Sequence, residues 1–190
     1  MRNAFALIVC FSLMGCVTTQ TTKPAPAYLS AENSCAVVIG GATGDYFDER
    51  QIDEFWFKAN SQISEILRDL LISEKYKVVG LTINLSERQN ITQILNKTVA
   101  QNQCNRVIQL THTIGTASSG NYFQFNISVL KIQPEPMSIG GYTNSTTVKV
   151  FSKEYRYPRT TSAMDKFHTG EFAEMVFFDL KNGAQLDHLR

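Results

Sequence analysis

Strict alternation of apolar and polar residues near the middle of the chain restricts its fold more than any other feature. From residue 123 to residue 129, every odd position is Phe, Ile or Val and every even position is Gln, Asn or Ser. Successive side chains of a strand point to opposite sides, so this pattern is typical of a sheet with one buried face and one polar face. We therefore expect helices to cover the buried face.

Helical periodicity supplies those helices. Apolar side chains recur every three or four residues from about Ile52 to Lys75, which predicts a long amphipathic helix. A second helix is predicted around residues 91–99, and a third begins near Ser162 or Thr169 and ends at Asn182-Gly183.

Short apolar or alternating runs predict the remaining strands, at residues 36–39, 76–83, 106–114 and 147–157. The parity of the last run shifts between Val150 and Phe151, which predicts a β-bulge there. The chain is thus predicted to form an α/β domain (an α+β sandwich) with one mixed sheet of about five strands and three helices. The predicted order is β-α-β-α-β-β-β-α.

The N-terminus has a short cationic start, Met1-Arg2-Asn3, an apolar run over residues 4–14, and the sequence Leu13-Met14-Gly15-Cys16. This arrangement resembles the lipobox of bacterial lipoproteins. The resemblance implies cleavage after Gly15 and acylation of Cys16, with palmitate or a similar lipid as the anchor. The apolar run is shorter than the about 20 residues of a membrane-spanning helix. An ordinary secretory signal and a buried strand are the alternatives.

The predicted organisation follows from that leader. Residues 1–15 are a signal peptide, residues 16–34 are a Thr-, Ser-, Ala- and Pro-rich flexible tether, residues 35–183 form one periplasmic domain, and residues 184–190 are a C-terminal tail. In enterobacterial lipoproteins a residue such as Val17 after the lipidated cysteine resembles the signal for transfer to the outer membrane. We therefore expect an outer-membrane lipoprotein whose domain faces the periplasm.

Charge excludes one class of partner. The chain has 18 basic and 17 acidic residues, and Arg2 leaves with the leader, so the mature protein has equal numbers of each. Nucleic-acid binding asks for a basic excess, and none is present. The only attachment to a membrane that we predict is the lipid on Cys16.

Two cysteines remain for a disulfide, Cys35 and Cys104. A right-handed β-α-β-α-β order makes strands one and three parallel neighbours or near neighbours, so their starts lie at one edge of the sheet. Each cysteine precedes one of those strands, which predicts a bridge within ordinary Cα separation. Two separate buried thiols are the alternative.

The element order from Cys35 to Gly183, together with the strand Asn105-Arg106-Val107-Ile108-Gln109-Leu110, resembles the TolB N-terminal domain-like fold. Related folds occur in the curli secretion lipoprotein and in a lipoprotein activator of peptidoglycan synthesis. The resemblance implies a periplasmic domain that binds protein partners or assembles at an envelope membrane.

A strand in which cations and aromatics alternate is the candidate interaction surface. Its residues are Lys149, Phe151, Lys153, Tyr155, Arg156, Tyr157 and Arg159. If this strand is exposed, it could contact a partner strand, an anionic glycan or lipid headgroups. The alternative is a solvated face with the aromatics packed inward.

Metal and catalytic motifs are weak. Asp45, Asp48 and Asp53 could ligate calcium, but acids at a helix start are also expected as caps. His112 is predicted to lie on the apolar face of the third strand as a core residue, and no two histidines have zinc-site spacing. We predict no cofactor and no enzymatic activity.

The sequence therefore favours a lipid-anchored module that binds or scaffolds envelope proteins. A carrier of a small apolar or lipid ligand, held between helices and sheet, is the alternative. An enzyme acting on peptidoglycan or glycan is the third hypothesis.

Overall fold

The structure is a computed structural model. It describes residues 26–29, 35–41, 50–84, 90–118, 120–134, 145–158, 160, 162–163 and 166–190, with only the backbone described for residues 50–56, 134 and 145. The predicted signal peptide, Cys16 and most of the predicted tether lie outside the described residues.

The described residues form five strands and three helices in the predicted order. They are β1 (Cys35–Gly41), α1 (Arg50–Ser73), β2 (Val78–Ile83), α2 (Ile91–Asn102), β3 (Cys104–Ala117), β4 (Gly120–Pro134), β5 (Ser145–Pro158) and α3 (Thr169–Asn182). Two short 3-10 turns, Ala27–Leu29 and Asp187–Leu189, precede and follow them. The predicted α+β fold with a single mixed five-stranded sheet is confirmed. Within the described ranges, none of the helices is long and apolar enough to cross a membrane.

The sheet has the strand order β2-β1-β3-β4-β5. The central strand β1 runs parallel to both β2 and β3, whereas β3, β4 and β5 are antiparallel to one another. Because β1 and β3 start at the same edge, Cys35 faces Cys104 with their Cα atoms 4.5 Å apart. The two form a disulfide, as predicted.

One face of the sheet is covered by α1 and α3, and we call it the helical face. The alternation of β4 places its odd-numbered residues here, and Phe125 and Ile127 have no exposed surface. Ile63, Leu67 and Leu71 of α1 pack against them in the same cluster. Burial of these apolar side chains at every third or fourth helical position is what the periodicity of α1 predicts.

On the opposite face, α2 packs against β1, β2 and the start of β3 with Ile94, Leu95 and Val99. The turn Ala27–Leu29 lies on this face too and contacts β3 and β4. Leu29 is 7% exposed and belongs to the same cluster as Ile132. The turn thus lies within the segment predicted as a tether, residues 16–34, and its Leu29 packs on the domain. An isolated leucine in a Thr- and Pro-rich segment gives no periodic signal from which this contact could be predicted.

The predicted C-terminal tail, residues 184–190, also packs into the domain. Leu186 and Leu189 are each 1% exposed and join the cluster of the helical face. The backbone N–H of Lys77 donates to the carbonyl of Leu189 at 2.6 Å, and the guanidinium of Arg190 donates to the Tyr76 hydroxyl at 3.2 Å. Two leucines three residues apart are too short a pattern to identify as core from sequence.

Candidate functional site

The predicted interaction surface lies on β5, and a β-bulge divides it between the two faces of the sheet. Val129 pairs with Phe151 and Leu130 pairs with Lys149, so Val150 is the extra residue. The bulge predicted at this position is confirmed. Arg159 lies outside the described residues.

The aromatic members of the surface point to the helical face. Tyr155 is 8% exposed, and its ring meets the Phe172 ring of α3 edge-on at 5.0 Å. Phe151 and Tyr157 are half-buried against the same cluster. Burial raises the pKa of Tyr157 above its ordinary value. Because Tyr155 is buried against Phe172, it is a packing residue and offers almost no surface to a partner.

Lys153 also points to the helical face, where it meets Asp179 of α3. Its ammonium lies 2.6 Å from Asp179 Oδ1, and the Tyr155 hydroxyl donates to Asp179 Oδ2. Burial alone would raise the pKa of Asp179, but the hydrogen bonds from Lys153 and Tyr155 outweigh it and lower the pKa below its ordinary value. Burial is the largest cause that raises the pKa of Tyr155, and the hydrogen bond to the Asp179 carboxylate raises it further. This three-residue network links β5 to α3.

The remaining charged members, Lys149 and Arg156, are exposed on the opposite face. The guanidinium of Arg156 contacts Glu154 at 3.1 Å and donates to Gln124 Oε1 at 2.8 Å. It also lies 5.0 Å from the centre of the Tyr122 ring. Arg156 is therefore held flat along the sheet by β4 and by its own strand.

Arg156 belongs to a polar area that we call the open face. Strand register places half-exposed or exposed Ser, Thr, Gln, Asn, Glu and Arg side chains side by side across three strands. They are Gln109, Thr111 and Thr113 of β3, Gln124, Asn126 and Ser128 of β4, and Ser152, Glu154 and Arg156 of β5. The open face is the polar face that the alternation of β4 predicts.

β5 is the edge strand of the sheet, and in the described residues its outer side has no strand partner over its 14 residues. A groove of about 380 Å³ runs between the end of β5 and α3. Its walls include Tyr157, Phe172 and Met175, with Phe167 at its end. A second hollow of about 420 Å³ lies on the other side of Phe167, towards Lys58 of α1.

Aromatic rings pack against one another at the end of the groove. Phe167 stacks on Phe125 with ring centres 5.3 Å apart and meets Tyr157 edge-on at 5.3 Å. An unpaired strand edge beside a groove is the arrangement that accepts an extended peptide as an additional strand. We call β5 and this groove the edge site.

A buried polar cluster lies elsewhere, where α1 meets the ends of β1 and β3. Asn60 has no exposed surface; it accepts a hydrogen bond from Gly41 N–H at 3.1 Å and donates to the Leu110 carbonyl at 3.1 Å. Its Nδ2 lies 3.4 Å from Nδ1 of His112, which is 6% exposed. Because Gly40 has no side chain, Ser64 of α1 can pack directly on β1. The sequence indicated a core position for His112 but gave no signal for Asn60.

The side chains of the candidate calcium ligands lie outside the described part of the chain. Asp45 and Asp48 lie outside the described residues, and Asp53 lies in the first turn of α1 without a described side chain. Among the residues that are described, no group of three or more His, Cys, Asp or Glu side chains could hold a metal ion.

Comparison with known proteins gives limited information. No family model and no curated protein matches this chain. Two structures of dodecameric PelC from Paraburkholderia phytofirmans match at the level of the backbone. One, a point variant, is 9% identical with a TM-score of 0.35, and the match covers 77% of this chain and 88% of the PelC chain. The other is 12% identical with a TM-score of 0.34 and covers 79% and 86%. Likenesses this weak carry no argument about function.

Proposed function

We propose that the protein is a lipid-anchored module of the bacterial envelope that binds a partner protein through the edge site. The lipid on Cys16 holds it at the outer membrane, with the domain in the periplasm. The partner supplies an extended segment that adds to the outer side of β5 and places side chains in the groove beside α3.

The unpaired 14-residue edge of β5 beside an aromatic groove is the observation that carries this proposal. Edge strands are usually short, charged or covered, since they otherwise pair with other chains. This one has a bulge and three basic residues, Lys149, Lys153 and Arg156, which oppose indiscriminate pairing of copies. Those features leave room for a selective partner.

The fixed position of the groove supports the same interpretation. The contact of Lys153 and Tyr155 with Asp179 sets the distance between β5 and α3. Two walls that are already in place need little ordering when a ligand binds, and this favours affinity. In the described residues we find no observation that favours the carrier or the enzyme hypothesis.

Site-specific photocrosslinking in living cells tests the proposal. A photoreactive residue at Met175 of α3 or at Tyr157 of β5, both of which line the groove, should trap the same protein. The matched control is Glu65, an exposed position on α1 away from the edge site. Absence of adducts from Met175 and Tyr157, or equal adducts from Glu65, would contradict the proposal.

A groove-filling variant adds a second readout. Ala163 lines the groove, so Ala163→Phe should reduce the adduct from Met175 at least tenfold. Ser162→Phe adds the same bulk at a neighbouring exposed position and should leave the adduct unchanged. Retention of the adduct in Ala163→Phe would exclude the groove as the contact.

A further inference from the structure

We infer that the open face is the surface of the domain that lies against the lipid headgroups of the membrane that holds Cys16. The inference rests on the lipid anchor of the proposed function and adds to it an orientation. It follows from where the N-terminal segment is attached to the domain.

Leu29 is the point of attachment. It is buried with Ile132 on the α2 side of the sheet, and the turn that contains it contacts β3 and β4. The backbone N–H of Leu29 also donates to the Pro26 carbonyl at 3.0 Å. The chain therefore leaves the domain from the same face that carries Gln124, Asn126 and Ser128.

The link from this point to the lipid is short. Nine residues, 17–25, lie between Cys16 and Pro26, and whatever their conformation the ten Cα–Cα steps span roughly 36 Å at most. Had the tether reached to Cys35, eighteen residues would lie between Cys16 and the domain. Burial of Leu29 thus nearly halves the available length.

That length opposes the inverted orientation. To place α1 and α3 on the bilayer, the link would have to pass β5 and then cross the sheet and one layer of helices. The two layers are together roughly 20 Å thick, and the detour around the edge adds roughly 10 Å. Only a nearly straight chain would reach, and stretching it costs conformational entropy.

The chemistry of the two surfaces agrees with this orientation. The open face carries hydroxyl and amide groups, the ion pair of Arg156 with Glu154, and Lys149 beside them. The donors among these groups can hydrogen-bond phosphate and other polar headgroup atoms. Two large exposed apolar side chains, Met175 and Phe178, lie on α3 on the other side of the molecule. The edge site lies at the side of the sheet and stays accessible in this orientation.

Site-specific fluorescence quenching tests the inference on the full lipidated protein. In the mature chain Cys16 carries the lipid and Cys35 and Cys104 are bridged, so an introduced cysteine can be labelled alone. The label is placed at Ser152→Cys on the open face or at Glu174→Cys on α3, both exposed. The protein is reconstituted in phosphatidylethanolamine–phosphatidylglycerol vesicles that contain a headgroup-quencher lipid.

We expect quenching at position 152 at least twice that at position 174. In the Leu29→Ser background the link lengthens, and the ratio should fall towards one; Ala27→Ser, in the same turn but exposed, should leave it unchanged. A ratio near one in acylated protein without these changes would overturn the inference and leave the proposed function standing. Mass spectrometry that finds no acyl group would overturn both.

Discussion

Asp179 is the residue on which the edge site depends most directly, since Lys153 and Tyr155 of β5 both bond to it. Because its pKa is lower in the folded protein than in the unfolded chain, folding is favoured where the carboxyl is ionised. This contribution is present above the unfolded pKa of about 3.9 and is lost as pH falls through the folded value.

We therefore predict that Asp179→Asn lowers the free energy of unfolding by about 1–2 kcal/mol at pH 7, a range that allows for the partial exposure of the pair. As the pH falls below the unfolded pKa of about 3.9, the difference from the unmodified protein should shrink towards zero. Urea unfolding at several pH values measures both effects. A difference that grows as the pH falls would contradict the assigned role of Asp179.

Asn60 stabilises the core through buried hydrogen bonds to β1 and β3. Replacing it with Ala leaves Gly41 N–H and the Leu110 carbonyl without this partner in a buried position. We predict that Asn60→Ala lowers the free energy of unfolding by about 2–4 kcal/mol in urea titrations. Asn96→Ala, at an exposed position of α2, is the control and should change it by less than about 0.5 kcal/mol. A loss below about 1 kcal/mol for Asn60→Ala would contradict this role, because the buried cluster would then be stable without the hydrogen bonds of Asn60.

Sequence parity explains which of these residues could have been predicted. Lys153 shares the odd positions of β5 with Phe151, Tyr155 and Tyr157, so a lone cation on the buried side signals a partner. That partner, Asp179, lies 26 residues away on another element, and spacing alone does not identify it. Asn60 gives no such signal, because one polar residue in an amphipathic helix is compatible with either face.

At the scale of elements, the disulfide joins the starts of two adjacent parallel strands across 69 residues of sequence. Cross-linking so long a loop restricts the unfolded chain, by about 4 kcal/mol in the chain-entropy model. We predict that the double variant Cys35→Ser with Cys104→Ser loses about that much unfolding free energy in guanidinium titrations. The unmodified protein measured with and without reductant is the control. A loss below about 1 kcal/mol would mean that the bridge adds little to the stability of the sheet.

The order of the elements was predictable because each element has a strong local periodicity. The packing of the segments before β1 and after α3 was not predictable. Alternation from Phe123 to Val129 specified both faces of β4 and, with it, the open face. Leu29 and Leu189 were missed because they lie in short segments without periodicity and are buried by contacts distant in sequence. Position in the tertiary structure, which local pattern does not contain, decides the burial of such residues.

At the scale of the whole molecule, the proposed function combines three parts. A lipid on Cys16 supplies the location, a link of nine residues sets the orientation, and the edge site supplies recognition. The edge site and the attachment point of the link lie in the described residues, on β5 with α3 and at Leu29 respectively. The lipid is the part on which the location and the orientation both depend.

Intact-mass analysis of the protein purified from its native envelope tests that part most directly. We predict that the mature chain begins at Cys16 and carries the added mass of its acyl groups. Cys16→Ser should block this processing and release the protein from the membrane fraction. A mature chain that begins elsewhere, or an N-terminal Cys16 without lipid, would contradict the account.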